Sequence, residues 1–339
     1  MNDDLSPEDA FRLQVLLAQE LKAVRLDEAE AGPMLHALTD KGEASIPLTP
    51  NGRLDKYLRH VRELLSGHAL GSPGGYPVYL SRWTRHGQMD GLNLGRLLLT
   101  GEPEAVVAVV HSPGLTDDLA RCAWWAMPSI ENARLMLSRE RVARGGMGPV
   151  LAEFLVEHLP FLQDEHQDIM DTVVVLLHSG ALSEAQREAI WKRGKRVNTH
   201  YVAFLEVAGW DNPQPLPLVL SARTEPETGA LNTPGLARAL DAQGQTFLAA
   251  AAEVLERPET QEVVNRTLNA LGRYFGPVAN QLDPLADALQ AAVARLAQAS
   301  EAQVNPIFAR STAIGSLMRR KIAPVIDQVL GDIRLLRDA

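Results

Sequence analysis

Apolar residues recur at helical spacing along most of this chain, and the residues between the recurrences are those that start and stop short helices. Ser6-Pro7-Glu8-Asp9 offers a capping serine, a proline at the first helical position and acid in the first turn, followed by Phe11, Val15, Leu16 and Leu21. This pattern predicts a first helix over 7–26. Gly32, Pro33, Pro47 and Pro50 break the next stretch, around a short helical turn at 34–38. Leu54, Leu58, Val61, Leu64 and Leu65 then predict a second helix that stops near Gly67.

Seven short helical units are expected next, over 92–100, 103–111, 116–127, 129–143, 149–158, 164–178 and 183–207. AVVAVV at 105–110 and VVVLL at 173–177 are β-branched enough for buried strands. Helices are preferred because caps flank the units (Thr116 with Asp117, Ser129 with Glu131, Ser183 with Gln186) and the connections are short. Successive short helices, none able to bury its own apolar face, predict an irregular solenoid of the HEAT or armadillo kind, with an irregular bundle as the alternative. Pro213, Pro215, Pro217, Pro226 and Pro234 then crowd one stretch, which reads as a linker over 209–233 in which LPLVL at 216–220 could dock as an extended segment. An Ala-rich part follows, with helices over 234–256, 258–274, 284–304 and 306–337, the last kinked at Pro324. The expected fold is all-α: a solenoid-like domain over 1–208, the linker, and a helical bundle over 234–339.

Composition narrows the function classes. The chain has 339 residues, 46% hydrophobic and 22% charged, and is ordinary globular material with room for a sizeable core. A formal net charge of −9 argues against wholesale coating of nucleic acid or anionic membrane, although local basic islands remain. MNDDLSPEDAF is no secretory signal, and no apolar run is long enough to span a bilayer. The single cysteine, Cys122, excludes an intrachain disulfide and any multi-thiolate zinc site. The expectation is a soluble cytoplasmic protein without a membrane partner.

A search for chemistry mostly eliminates. There is no GxxxxGK[ST], no GxGxxG after a strand and no GxSxG. Gly145-Gly146-Met147-Gly148 precedes a helix and either holds an anion at the helix N-terminus or makes an interhelical turn. None of the nine histidines falls in HExxH or Glu-x-x-His; the acids and histidines between Glu157 and Asp171 concentrate hard ligands, and either bind a metal or, the preferred reading, form a solvated loop and the acidic first turn of a helix. Cys122, in ARCAWWA, reads as a buried thiol with Arg121 as its only nearby cation, and Trp124, Trp125 and Trp191 as core anchors. No catalytic residue, cofactor or metal is expected.

One stretch departs from the scaffold. Residues 67–89, GHALGSPGGYPVYLSRWTRHGQM, hold five glycines, two prolines and a concentration of Tyr, Trp and Arg. They sit in the first of three basic islands: Arg53 to His86, Arg187 to His200 and Arg310 to Lys321. The last two read as solvated helix faces. In the first, Tyr76, Tyr79, Arg82, Trp83, Arg85 and His86 either tuck the loop onto the scaffold or form a partner-binding surface, since interface hot spots use the same residue types.

The strings VRELLSGHALGSPGGYPVYLSRWTRHGQ and LLLTGEPEAVVAVVHSPGLTDDLARCAWWAM resemble the DsrS family, a "sulfur reduction protein" encoded with the dissimilatory sulfite reductase genes of sulfur-oxidising bacteria. The resemblance is strongest over 53–161. It implies a cytoplasmic accessory protein for oxidation of stored sulfur, regulatory or assembly-related, with no reaction of its own and no site residues to carry over. The leading expectation is therefore a non-enzymatic protein acting through protein partners, including components of the sulfite reductase system. The alternatives are RNA binding by the basic islands and sulfur handling by Cys122.

Overall fold

The structure, a computed structural model, describes residues 5–29, 32–71, 91–162, 165–210, 213–217, 220, 234–281 and 288–338. Helix dominates at 69%, as the sequence predicts, but a three-stranded sheet lies among the helices. The chain forms two compact units, Met1–Leu155 and Val156–Ala339. No helix among the described residues is long and apolar enough to cross a membrane.

The first unit opens with α1 (Pro7–Leu17), whose Ser6 Oγ accepts from the Asp9 N–H at 3.1 Å. The expected continuation to residue 26 does not form. Instead β1 (Leu21–Ala29), β2 (Gly32–Thr39) and β3 (Gly42–Pro47) make an antiparallel meander, so the helical turn expected at 34–38 is also a strand. The register pairs Val24 with Ala37, Arg25 with His36 and His36 with Ser45. LKAVRLDEA is rich in good helix formers, yet pairing and burial decide: Ala23, Val24, Leu35 and Ala37 are fully buried. Gly42, at φ +118°, closes the two-residue connection between β2 and β3 in a conformation that favours glycine.

α2 (Leu54–Leu70) lies with α1 over one face of the sheet, and Leu13, Leu16, Val24, Leu35, Tyr57, Val61 and Leu65 form their common core. A buried polar knot locks this layer. Asp9 is fully buried, and its Oδ2 accepts from Tyr57 Oη at 2.7 Å, Thr49 Oγ1 at 2.8 Å and the Thr49 N–H at 3.0 Å. Burial pushes the Asp9 carboxyl up, but these hydrogen bonds outweigh it and hold the pKa below its usual value.

Short helices complete the unit: α3 (Gly91–Leu97), α4 (Pro103–His111), α5 (Asp117–Ala126), α6 (Ile130–Leu137), α7 (Glu140–Ala143) and most of α8 (Met147–His158), whose last three residues fall past Leu155. α5 packs against β1, α3 and α5 pack against α4, and α6 packs against both α4 and α5. The expected caps are present: Thr116 Oγ1 accepts from the Leu119 N–H and Ser129 Oγ from the Asn132 N–H. AVVAVV is helical, with Ala105, Val106, Val109 and Val110 buried.

The second unit contains α9 (His166–Ser179), α10 (Glu184–Arg193), α11 (Thr199–Ala208), α12 (Pro234–Leu240), α13 (Ala242–Glu256), α14 (Gln261–Phe275), α15 (Ala288–Ala297), α16 (Asn305–Phe308) and α17 (Gly315–Asp338). Ser183 and Gln186 form the predicted capping box of α10. All ten residues of α11 are buried, and this helix packs against α9, α13 and α14. α11 thus belongs to the unit Val156–Ala339, and most of the expected linker over 209–233 lies outside the described residues. Within the connection Leu216 is buried: its N–H donates to Gln243 Oε1 at 2.7 Å and its carbonyl accepts from Gln243 Nε2 at 3.1 Å; residues 218–219 of the expected docked segment lie outside the described residues.

Several expected long helices are broken, among them 129–143 after Leu137 and 284–304 after Ala297. The 183–207 unit splits at Gly194, 234–256 at the capping Asp241, and 306–337 into α16 and α17, with Pro324 inside α17. An ion cluster ties the unit's middle together. Arg266 of α14 donates to both carboxylate oxygens of Glu206 on α11, at 2.9 and 2.5 Å, and to Asp171 of α9 at 2.6 Å.

Candidate functional site

The candidate partner-binding residues Tyr76, Tyr79, Arg82, Trp83, Arg85 and His86 lie outside the described residues. Their flanks are described. α2 ends at Gly71, which takes the left-handed conformation at φ +63° and donates its N–H to the Gly67 carbonyl, and α3 begins at Gly91.

The first unit also holds a cavity of about 760 Å³ with Cys122 on its wall. Three parts of the chain build it. α5 supplies Cys122 and Arg121, α3 supplies Arg96, and the paired ends of β1 and β2 supply Lys22 and Thr39. Leu21, Leu38 and Leu119 from the same elements, with Leu99 just after α3, make the apolar wall. Cys122 is half-buried rather than buried, and it is a free thiol. Burial pushes its pKa above the usual thiol value, while Lys22 and Arg121 pull the other way. At neutral pH the group is a protonated thiol with cations close enough to favour an anion beside it. Of these cations, Lys22 is paired with Asp40, and Arg121 lies 3.6 Å from Asp117 and 3.5 Å from Asp118. Arg96 is exposed.

Sequence reasoning supplied Arg121 for Cys122 and missed Lys22 and Arg96. No local spacing marks them, because Lys22 arrives only when the 21–29 segment forms a strand beneath α5.

A second polar constellation lies on the sheet face that meets α5. His36 Nδ1 is 2.8 Å from Ser45 Oγ and 3.1 Å from Glu43 Oε1, and its Nε2 is 3.2 Å from Asp27 Oδ2. With Nε2 protonated toward Asp27, Nδ1 accepts the Ser45 hydroxyl proton; with the ring cationic, both nitrogens donate to carboxylates. Arg25 bonds Asp27 at 3.3 Å, donates to the Trp125 carbonyl at 3.2 Å and lies 5.0 Å over the Trp125 ring, whose Nε1 donates to Glu43 Oε2 at 3.2 Å. The cluster sets Arg25 and His36 against two carboxylates, and its geometry fastens the hairpin to α5. Trp125 thus anchors the sheet through polar contacts, and Trp124 packs edge-on against Phe154 with centroids 4.7 Å apart. The signal for the cluster was the alternation of Arg25 with Asp27 and of Glu43 with Ser45, legible only to a reader who sees the hairpin.

The glycine-rich Gly145 to Gly148 turn does receive an anion, and the anion is the chain's own. Asp117 Oδ2 accepts from the Gly146 N–H at 3.1 Å and Oδ1 from the Met147 N–H at 3.0 Å, at the start of α8. A Cβ on Gly145 would stand 2.2 Å from Asp117 Oδ1. Among the described residues, no group of three or more His, Cys, Asp or Glu could hold a metal ion.

The basic islands divide. In the first, Arg62 lies 3.4 Å from Glu28 and 3.6 Å from Glu102. In the second, Arg187 donates to the Pro215 carbonyl and lies 5.9 Å over Phe204, and Lys192 pairs with Glu188 at 3.1 Å. Trp191 is buried there against Tyr201 and Phe204, so much of this island is structural. In the third, Lys321 Nζ donates to Ser311 Oγ and Arg319 to the Pro258 carbonyl. Comparison with protein-family models, curated proteins and solved structures finds no match to this chain.

Proposed function

We propose that this chain is a non-enzymatic accessory or regulatory protein of cytoplasmic sulfur oxidation, attached to the dissimilatory sulfite reductase system and acting through protein–protein contact. The observation that carries the proposal is the resemblance over 53–161, centred on the Gly-, Tyr- and Arg-rich stretch 67–89. The setting of that stretch supports it. α2 and α3 precede and follow the stretch in the chain, and polar groups of the same unit are committed to one another in the Asp9–Tyr57–Thr49 knot and the His36 cluster. In this proposal the succession of short helices is an irregular HEAT- or armadillo-like scaffold, and Tyr76, Tyr79, Arg82, Trp83, Arg85 and His86 are its partner surface. Co-purification with sulfite reductase subunits tests it. Wild type retains them and a folded Tyr79→Ala, Trp83→Ala variant loses them; identical partners for both would remove the loop from the proposal.

One observation favours a second reading, sulfur handling at Cys122: the thiol lines a cavity with Lys22, Arg96 and Arg121 around it. Intact-mass measurement after incubation with a persulfide donor should then show added sulfur that Cys122→Ser lacks. An unmodified wild-type chain would eliminate this reading.

A further inference from the structure

Between residues 302 and 326 the chain contains Arg310, Arg319, Arg320 and Lys321 and not one Asp or Glu, within a protein of net charge −9. The segment is held in place by the unit it belongs to. Gln261 Nε2 donates to the Ser311 carbonyl at 2.8 Å and to the Ala313 carbonyl at 3.2 Å, and the Gly315 N–H donates to the Glu259 carbonyl at 3.3 Å. Gly315 itself sits at φ +59°. Lys321 Nζ bonds Ser311 Oγ at 2.8 Å, which brings the turn carrying Arg310 beside the first turns of α17.

The turn is ordered by polar bonds, yet its apolar side chains point outward. Ile314 is 71% exposed and Leu317 49%, while Met318 and Ile322 take the buried face of α17 at 1% each. Leu317, Arg320 and Lys321 stand at i, i+3 and i+4 and share one face. Among the described residues Arg310 and Arg320 make no ion pair, and both are exposed. A fixed turn that displays two aliphatic side chains rimmed by free arginines has the composition of an interface rather than of a solvated helix face.

We propose that the Arg310–Lys321 surface binds an acidic segment of a protein partner, which seats an apolar side chain on Ile314 and Leu317 and its carboxylates on Arg310 and Arg320. Charge complementarity selects this occupant. No aromatic residue is among the exposed residues of the patch, so an RNA base would have no ring to stack on, and phosphates on the arginines would leave the aliphatic pair in water. A planar anionic bilayer extends over many screening lengths of about 8 Å and would meet the acidic remainder of the protein, whereas a short segment meets the patch alone. The inference rests on the proposed mode of action, protein contact, but not on the 67–89 stretch.

The test places a photoreactive benzoylphenylalanine at Ser316 in the full chain, cross-links in extract of the native organism, and identifies the attached segment by mass spectrometry. A synthetic peptide of that segment is then titrated against wild type, Arg310→Glu with Arg320→Glu, and Leu317→Ser. The expected result is an acidic segment whose binding weakens about tenfold or more on charge reversal, severalfold on Leu317→Ser, and steeply with added salt. RNA, lipid or a non-acidic segment on the cross-linker, no cross-link at all, or an acidic segment indifferent to the variants overturns the inference. If sulfite reductase subunits still co-purify while the Ser316 cross-link fails, this surface is refuted and the proposed function stands. If the cross-link persists when the subunits do not co-purify, the reverse holds.

Discussion

His200 shows what a single buried side chain can impose on this protein. It is 4% exposed, its Nδ1 sits 3.1 Å from the Val197 carbonyl, and its Nε2 is buried with no partner. Burial lowers its pKa below 6.5, the Val197 hydrogen bond works against that, and the Arg193 charge adds to it. The folded state therefore binds this proton less readily than the unfolded chain does. The stability that follows is fully present above about pH 6.5 and drains away as pH falls from there toward the folded value, by at most about 1.4 kcal/mol per pH unit. Thermal unfolding between pH 7.5 and 5.5 should show wild type losing more Tm than His200→Gln, and parallel losses would assign the acid sensitivity to another group.

At the scale of elements, helices with strong caps were legible and the hairpin was not. Ser6, Thr116, Ser129 and Ser183 each cap where the sequence places them, because a cap is a local contact between residues three apart. The strand over 21–29 depends on pairing with 32–39, and its Leu, Lys, Ala, Arg and Glu content favours helix in isolation. The same limit hid the site: Cys122 and Arg121 are neighbours in sequence, whereas Lys22 reaches the cavity only through that strand.

Asp117 at the head of α8 is likewise non-local, and it yields a prediction. Asp117→Ala frees the Gly146 and Met147 N–H groups and should cost about 1 kcal/mol, the usual worth of an N-terminal cap. Gly145→Ala drives a Cβ into the same carboxylate and should destabilise on its own, but much less in an Asp117→Ala background. Denaturant titration of the four proteins measures this coupling, and strictly additive losses would mean that Asp117 does not hold the turn.

On the scale of the whole chain, the position of α11 decides where the protein can be cut. Proline composition suggested separation at 209–233, yet α11 precedes that stretch and is buried along its full length among α9, α13 and α14. Composition reports how a segment would behave alone, whereas the boundary follows from which helices share a core. Arg266 adds an electrostatic reason. Its side chain is 14% exposed, and the two carboxylates that meet it, Glu206 and Asp171, both lie before residue 209. A fragment over 209–339 would thus keep a mostly buried cation without either acid and expose the apolar surface that α11 covers. It should show no cooperative thermal transition. In the full chain Glu206→Gln removes one of the two charges while Asp171 stays paired with Arg266, and should cost about 1.5 kcal/mol, the usual worth of a hydrogen bond to a charged group. Circular dichroism melts measure both, and a fragment over 209–339 that unfolds sharply would show that α11 is dispensable to the helices it packs against.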